Sequence, residues 1–388
     1  MRLSNRVESL PPYLFAQISK TIAKKKAEGM DVISLGIGDP DIPTPNHIID
    51  KLINAAKKPV NHRYPESEGL PEFRKAVAIY YKNRHNVELN FDDEVTTLIG
   101  SKEAIINFSL CVINPGDYAL VTDPGYPVYE IGTMLAGGKS YKLPLTVEQN
   151  WLPNLDIIPD NILAKSKILW INYPNNPTGA IGNDAFYNKV INWGIKNNII
   201  IAHDLAYSET TYDGYIAPSI LEYPNAKEIC IEFNSLSKSY NMTGWRIAMA
   251  VGNKQLVQAL RTIKSNIDSG APQAIQEMAI EALSSPRDLI DSRNKVYQSR
   301  RDKVVHSLQS LGLTVITPKA SLYVWAKIPD GEESSSAFVS KIINATGVVL
   351  TPGNGYGESG EGYIRVSLTT PDNQLDEALK RLNEYIKS

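Results

Sequence analysis

Short apolar runs alternate with longer helical or turn segments between about residue 95 and residue 252. The runs are rich in β-branched side chains and read VTTLIG, YALVTD, ILWINY, IIIAHD, ICIEFN and IAMAVG. Strands that are separated by helix-length connections are typical of βαβ units, in which the strands run mostly parallel. The pattern therefore predicts an α/β domain with a mostly parallel sheet.

Helical patterning flanks this region on both sides. Residues 12–28 predict an amphipathic helix, and the Gly/Pro-rich segment MDVISLGIGDPDIPTP leads from it into the main domain. After residue 272, a long charged helical stretch precedes LTVIT, LYVWAKI, GVVLTP and YIRVSL, which predict a small sheet, and LDEALKRLNEYIK, which predicts a closing helix. We therefore predict a large domain over residues 46–285 and a smaller lobe formed by residues 1–45 with residues 286–388.

The composition is that of an ordinary globular protein. The 388 residues exceed what one hydrophobic core usually supports, which favours two domains. Lys+Arg number 40 against 42 Asp+Glu, so nothing indicates nucleic-acid binding. No apolar run reaches the length of a membrane span, and the N-terminal stretch has no signal-peptide pattern, so we predict a cytoplasmic protein. The two cysteines and five histidines show no ligand spacing, so no metal site is predicted.

Polar and turn residues follow the ends of five predicted strands. In chain order they are Gly100, Ser101 and Lys102, then Tyr126, then Asn176, then Asp204 and Tyr207, and finally Ser235, Ser237 and Lys238. Ligands bind outside the carboxyl ends of parallel strands, so these side chains are expected to line one crevice. Turn formation explains any one of them alone. Together they offer donors and cations for a phosphate, a carboxylate for a ring nitrogen, an aromatic face and an amine, which match pyridoxal 5′-phosphate.

The same segments resemble the fold type I aminotransferases of class I/II. The resemblance runs from LGIGDPDIPTP through RYPESEGLPEFRKA, DPGYPVY, NYPNNPTG and SLSKSYNMTGWR to EGYIRVSL, and thus covers nearly the whole chain. It implies the PLP-dependent transferase fold type I, with a large α/β/α domain and a smaller α+β lobe. It also implies amino-acid and 2-oxo-acid substrates and a homodimer with shared active sites.

The resemblance also assigns roles within the site. It makes Lys238 the lysine that carries the cofactor covalently and shuttles a proton, and it pairs Asp204 with the pyridine nitrogen. Tyr207 and Asn176 hydrogen-bond to the ring oxygen, and Tyr126 stacks on the ring. The residues implied for the cofactor phosphate are Ser101, Lys102, Ser235, Ser237, Arg246 and, from the neighbouring subunit, Tyr64. Within Lys264–Gly270, Asn266 or Ser269 is expected to approach the partner's site.

For the substrate, the resemblance assigns the α-carboxylate to Arg365 in YIRVSL, with Gly38 allowing close approach of the backbone. Within the family, LPPYLFAQI, GSKEAI, DPGYPVYEIGTMLAGG and SNIDSGAPQAIQ most resemble the LL-diaminopimelate aminotransferases. These enzymes interconvert LL-2,6-diaminopimelate plus 2-oxoglutarate with tetrahydrodipicolinate plus glutamate, a step of lysine biosynthesis. Such a substrate needs a second polar contact, for which Lys102, Tyr13 and Tyr126 are candidates.

Several alternatives stay open on the sequence alone. Lys102 alternatively faces only the phosphate or solvent, and Tyr13 alternatively packs against the first helix. An aspartate, alanine or aromatic aminotransferase of the same fold, or a PLP-dependent C–S lyase, shares the lysine, the aspartate and the arginine. Formation of glutamate from 2-oxoglutarate, as against release of pyruvate and ammonia, distinguishes the transaminases from the lyase.

Overall fold

A computed structural model of the protein describes residues 2–12 and 14–387. The helices are α1 Asn5–Ser9, α2 Leu14–Ala27, α3 Asn46–Ala56, α4 Pro71–His85, α5 Ser101–Val112, α6 Val128–Leu135, α7 Asp160–Leu163, α8 Asp184–Asn197, α9 Ala226–Ile229, α10 Leu236–Ser239, α11 Lys254–Ser265, α12 Gln273–Leu283, α13 Arg287–Ser310, α14 Ser335–Thr346 and α15 Asp372–Lys387. The strands are β1 Ile33–Ser34, β2 Val95–Leu98, β3 Tyr118–Asp123, β4 Lys139–Pro144, β5 Ser166–Ile171, β6 Ile200–Asp204, β7 Cys230–Ser235, β8 Ala248–Gly252, β9 Thr314–Val315, β10 Tyr323–Lys327, β11 Val348–Val349, β12 Thr351–Pro352 and β13 Tyr363–Ser367.

The largest sheet has seven strands in the order β2-β8-β7-β6-β5-β3-β4. Strand β8 runs antiparallel to both of its neighbours, and the other pairs are parallel. Each of the six predicted runs forms a strand, so the predicted α/β class with a mostly parallel sheet is confirmed. The sequence KSYKLP of β4 was not predicted, because this strand lies at the edge of the sheet, is largely exposed and lacks an apolar run.

Helices cover both faces of this sheet. On β6, Ile201 joins the core that includes α4, α8 and α12, whereas Ala202 joins the core that includes α5, α6 and α11. Successive side chains of a strand point to opposite faces, so burial on both faces requires a continuous apolar run. This requirement explains why the strands are apolar throughout. It also leaves their carboxyl ends as the places where polar side chains collect.

A second, four-stranded sheet with the order β12-β13-β10-β9 is antiparallel. The predicted run GVVLTP divides into β11 and β12, and β11 pairs in parallel with β1 instead of joining this sheet. The long helix predicted after residue 272 is two helices, α12 and α13, because Pro286 disfavours helical geometry at the residue before it. The predicted domain boundary lies beside this break, and the boundary itself stays a prediction.

Within the described part of the chain, no helix is both long enough and apolar enough to cross a bilayer.

Candidate active site

A cavity of about 410 Å³ lies at the carboxyl ends of the parallel strands. The predicted site residues that line it are Gly38, Ser101, Lys102, Tyr126, Asn176, Asp204, Tyr207, Ser235, Ser237, Lys238 and Arg246. They come from loops that are far apart in the sequence, and the order of the strands brings them together. The geometry thus gathers in one place the groups that the sequence predicted to converge.

Lys238 lies on the short helix α10, directly after β7. The Ser235 side chain caps this helix by accepting a hydrogen bond from the Ser237 backbone N–H at 3.1 Å. The Lys238 ammonium donates to the Gly38 carbonyl at 2.7 Å. A Cβ atom at Gly38 would lie 2.1 Å from the Tyr323 hydroxyl oxygen, so no other residue type lets the backbone pass here.

The pKa of Lys238 is lowered from its ordinary value. Burial is the main cause, and the nearby Arg365 and Arg246 charges add to it, although Tyr323 and Asp39 act in the opposite direction. A lowered pKa increases the fraction of neutral amine at a given pH. Neutral amine is the form that adds to a carbonyl group.

Asp204 ends β6 with its two carboxylate oxygens in different situations. Oδ2 accepts a hydrogen bond from the Tyr129 hydroxyl at 2.8 Å, whereas Oδ1 is buried without a hydrogen-bond partner. Burial raises the pKa of Asp204 to about 6, and Tyr129, His203 and the nearby Ala206 backbone N–H oppose this rise. A buried carboxylate oxygen without a donor is costly, so this geometry suits a ligand that brings a cationic N–H group.

Arg365, the predicted substrate arginine, is fully buried and does not itself line the cavity, although its partners Asn176 and Tyr323 do. It donates to the Asn176 side-chain oxygen and to the Gly36 carbonyl, both at 2.8 Å. Its guanidinium carbon lies 3.8 Å from the centre of the Tyr323 ring. The Tyr207 hydroxyl donates to the Tyr323 hydroxyl at 3.2 Å, and burial together with Tyr323 raises the pKa of Tyr207. These contacts connect the arginine to the two side chains predicted to bind the ring oxygen.

Another part of the cavity lining, around Ser101 and Arg246, has the features of an anion site. Helix α5 begins there, and its N-cap residue, Gly100, contributes no side-chain cap. Gly100 has φ +87°, and a Cβ atom there would lie 2.0 Å from Arg246 Nη2, so the glycine lets the guanidinium approach the helix start. The Ser101 hydroxyl oxygen is buried without a hydrogen-bond partner. Helix N–H groups, hydroxyls and a guanidinium together suit a phosphate.

Some predicted residues do not line this cavity. Tyr13 lies outside the described residues. Tyr64 is 89% exposed, and Asn266 and Ser269 are also exposed. Lys264, in the same segment as Asn266 and Ser269, is instead buried between the Glu103 and Asp268 carboxylates, at 2.7 and 2.9 Å.

The two segments predicted to face a partner lie side by side. A Cβ atom at Gly270 would lie 2.6 Å from the Glu66 carbonyl oxygen, so the glycine packs the segment Lys264–Gly270 against RYPESEG. Both segments therefore present exposed side chains from one continuous surface.

Among the site residues that the sequence did not predict are Asn172, Tyr129 and Tyr323. Asn172 donates to the Asp204 carbonyl at 2.7 Å and accepts from the Asn176 backbone N–H at 2.8 Å. The strand-end signal was available for this residue, because it directly follows β5. Tyr129 lies three residues beyond the predicted Tyr126, in the same motif DPGYPVY. Tyr323 comes from the four-stranded sheet, and no local signal marks it.

Comparisons with known proteins agree with this geometry. The family described as "Aminotransferase class I and II" matches residues 30–382. The chain is 56% identical over 388 residues to an LL-diaminopimelate aminotransferase of Dehalococcoides mccartyi, with 100% of both chains covered. It is 52% identical over 386 residues to the enzyme of that name from Moorella thermoacetica, covering 100% of this chain and 99% of the relative. A substrate-bound BacF structure from Bacillus subtilis superposes with a TM-score of 0.95 at 34% identity, covering 99% of this chain and 98% of that one.

Proposed function

The chain belongs to the class I and II aminotransferases, and on that premise we propose that it transfers an amino group between LL-2,6-diaminopimelate and 2-oxoglutarate. The other products of this exchange are tetrahydrodipicolinate and glutamate, in a step of lysine biosynthesis. The observation that carries the substrate is the identity of 56% and 52% over whole chains to relatives that bear this name.

We propose pyridoxal 5′-phosphate as the cofactor because the cavity offers a complement to each part of it. The partnerless Asp204 Oδ1 suits the protonated ring nitrogen, and the Ser101 hydroxyl with Arg246 suits the phosphate. Tyr126 offers an aromatic face along the same wall. When bound, pyridoxal phosphate supplies an aldehyde that takes up amines and a conjugated ring that accepts the electrons of a broken Cα–H bond.

The side chains of the protein then supply proton transfer and stabilise the charges on the cofactor ring. Lys238 takes and returns the proton at its Nζ atom, for which a lowered pKa leaves it neutral part of the time. Asp204 stays ionised opposite a cationic ring nitrogen, because an opposite charge in contact lowers a carboxyl pKa. Tyr207 and Asn176 donate hydrogen bonds that stabilise negative charge on the ring oxygen.

Substrate orientation falls to Arg365. Its planar guanidinium binds an α-carboxylate through two parallel hydrogen bonds, which fixes the direction of the Cα–H bond relative to Lys238. Its hydrogen bond to Asn176 holds the fork in place before substrate arrives. Lys102 and Tyr126 line the same cavity and are the proposed contacts for the distal amino-carboxylate, together with Tyr13.

The assembly that we propose is a homodimer in the cytoplasm. Tyr64 does not line the cavity of its own chain and is 89% exposed, so its proposed contact with a phosphate requires a second chain. The segment Lys264–Gly270, which packs against Glu66 through Gly270, presents the exposed Ile267. Sedimentation of the purified protein and cell fractionation test these two proposals.

An amino-donor panel with 2-oxoglutarate tests the substrate. We expect glutamate to form faster with LL-diaminopimelate than with aspartate, alanine or an aromatic amino acid at equal concentration. Equal or faster use of aspartate refutes the proposed donor, and release of pyruvate and ammonia without glutamate indicates the C–S lyase. Borohydride reduction followed by peptide mapping tests the lysine. We expect the cofactor adduct at Lys238 and none in Lys238→Ala, whereas Lys102→Ala retains it.

A further inference from the structure

His203 lies one residue before Asp204 on β6, and its side chain is fully buried on the opposite side of the strand from the cavity. Its Nδ1 atom lies 2.9 Å from Glu232 Oε2, and its Nε2 atom lies 3.0 Å from the Tyr173 carbonyl oxygen. A neutral imidazole has one donor and one acceptor nitrogen. A carbonyl oxygen can only accept, so Nε2 must carry a proton.

The state of Nδ1 then depends on Glu232. The Glu232 carboxylate accepts from the Tyr81 hydroxyl at 2.8 Å, and from the Ser219 hydroxyl and the Ile220 backbone N–H, both at 2.9 Å. Burial raises the pKa of Glu232, but His203, His85 and the Tyr81 hydrogen bond together outweigh burial and lower it. A carboxylate with this many donors is ionised and acts only as an acceptor. Nδ1 must therefore carry a proton as well.

The groups around this pair are consistent with a charged imidazole. Across the register of the sheet, His203 is paired with Glu232 on β7. The Tyr187 ring of α8 packs edge-on at 5.7 Å, and Tyr81 of α4 contacts the carboxylate. His85, also on α4, adds a favourable interaction with Glu232, and Asp204 is the next residue of the strand. No cation from these elements contacts the ring, and two carboxylates lie close to it.

The Tyr173 carbonyl belongs to the loop that carries Asn176. Asn172, which precedes Tyr173, accepts a hydrogen bond from the Asn176 backbone N–H at 2.8 Å. The Asn176 side chain in turn accepts from Arg365 at 2.8 Å. A donor at His203 Nε2 therefore fixes one end of a loop whose other end orients the arginine.

We propose that His203 is a positioning residue with a proton on each ring nitrogen, which bridges Glu232 to the Tyr173 carbonyl and thereby holds the Asn176 loop and Arg365 in place. Its two donors point in opposite directions, and only an imidazolium provides both at these positions. This inference rests on the proposed function for its kinetic consequence. Its protonation state is independent of the reaction.

Two substitutions separate the two hydrogen bonds. The side-chain amide nitrogen of asparagine occupies the position of Nδ1, and that of glutamine occupies the position of Nε2. His203→Asn therefore keeps the contact with Glu232, whereas His203→Gln keeps the contact with the Tyr173 carbonyl. Both remove the positive charge and about the same ring packing. His306→Gln, at an exposed position of α13, is the control for losing a histidine.

The kinetic readout is the KM for the amino donor, compared with kcat, in the holoenzyme. We expect KM to rise about tenfold in His203→Asn and to change less than about threefold in His203→Gln, since one lost hydrogen bond corresponds to a factor of this size. A purely structural role of the ring would affect both variants equally, and that result overturns the proposal. If His203→Gln does not fold, the double variant His203→Gln/Glu232→Gln replaces it, because this variant leaves no unpaired carboxylate buried at position 232.

The second readout is the imidazole ¹⁵N spectrum of the unsubstituted protein labelled at its five histidines, with the His203 signal assigned by its loss in His203→Asn. We expect both ring nitrogens of His203 to carry a proton at the pH of the kinetic assay. A neutral tautomer at that pH overturns the inference, even if the enzyme is active. If the wild-type enzyme shows no transamination, the proposed function is refuted, and the ¹⁵N spectrum alone then tests the protonation of His203.

Discussion

Replacing Asp204 by asparagine should stabilise the cofactor-free protein while it abolishes most of its activity. The carboxylate is buried, Oδ1 has no partner, and ionisation in that environment is unfavourable. Asparagine has nearly the same shape, and its carboxamide oxygen can accept the Tyr129 hydrogen bond that Oδ2 now accepts. The substitution therefore removes a charge from a buried position and retains the packing.

The magnitude follows from the pKa of this carboxyl group. Burial raises its pKa from 3.8 to about 6, and this difference corresponds to roughly 3 kcal/mol of folding free energy. Below pH 3.8 the group is protonated in both the folded and the unfolded chain, so ionisation costs nothing. The cost grows as the pH rises from 3.8 to about 6 and is constant above that. The stabilisation by asparagine should be largest above pH 6 and about half as large at pH 5.

Urea unfolding at pH 5 and pH 8, with cofactor removed and at one protein concentration, measures this difference. Asp184→Asn is a matched control, because Asp184 also accepts from a tyrosine hydroxyl, that of Tyr223, but is exposed. We expect no gain in stability for this control, because its carboxylate is exposed to solvent. With cofactor bound, Asp204→Asn should lower kcat by about 10²-fold or more, because a neutral amide does not favour a cationic ring. Equal or lower stability of cofactor-free Asp204→Asn at pH 8 would refute the reasoning.

Three further substitutions test other parts of the site. Gly100→Ala places a Cβ atom 2.0 Å from Arg246 Nη2 and should weaken cofactor binding, which titration with the cofactor measures. Gly116→Ala is the control, because Gly116 also has a positive φ, of +95°, but open space around it, so that this substitution introduces only backbone strain. Arg365→Lys should lower kcat/KM for the donor roughly 10²-fold with the cofactor still bound, because the bidentate fork is lost. Tyr64→Ala should weaken cofactor binding. When this variant is mixed with Lys238→Ala and the subunits exchange, half of the dimers contain one subunit of each kind. In each such dimer one of the two sites has both Lys238 and the partner's Tyr64 intact, so about a quarter of wild-type activity should return.

The main sheet was predictable because burial on both faces leaves its strands as continuous apolar runs. The exceptions follow from the same rule: β4 pairs with only β3 at the edge of the sheet, so its sequence KSYKLP is free to be polar. The division of GVVLTP into β11 and β12 was not predictable, because it depends on pairing with Ile33–Ser34, more than 300 residues earlier in the chain. Local sequence patterns indicate which strands are buried, whereas the pairing of strands that are distant in the sequence depends on tertiary packing.

The residues of the candidate site likewise fall into those that the sequence predicts and those that depend on long-range packing. Asn176, Asp204 and Lys238 follow strand ends of one sheet, so the topology alone predicts that they meet. Tyr323 reaches the cavity from the four-stranded sheet, and it is the residue that excludes a side chain at Gly38 and contacts Arg365. Its position depends on how the two sheets pack together, which no local pattern encodes.

Buried polar atoms without a hydrogen-bond partner identify the site only when several of them line the same cavity. Buried hydroxyl, indole and phenol groups without a hydrogen-bond partner also occur elsewhere in the described residues, for example at Trp170 and Tyr187. What distinguishes Asp204 and Ser101 is that both line one cavity, one with an anionic oxygen and the other beside a helix N-terminus. A cationic N–H group and an anion satisfy them together, and a ligand that carries both groups gains from each contact. The structural cost of leaving these atoms unpaired is therefore recovered when the cofactor binds, which is why Asp204→Asn should raise stability and lower activity at once.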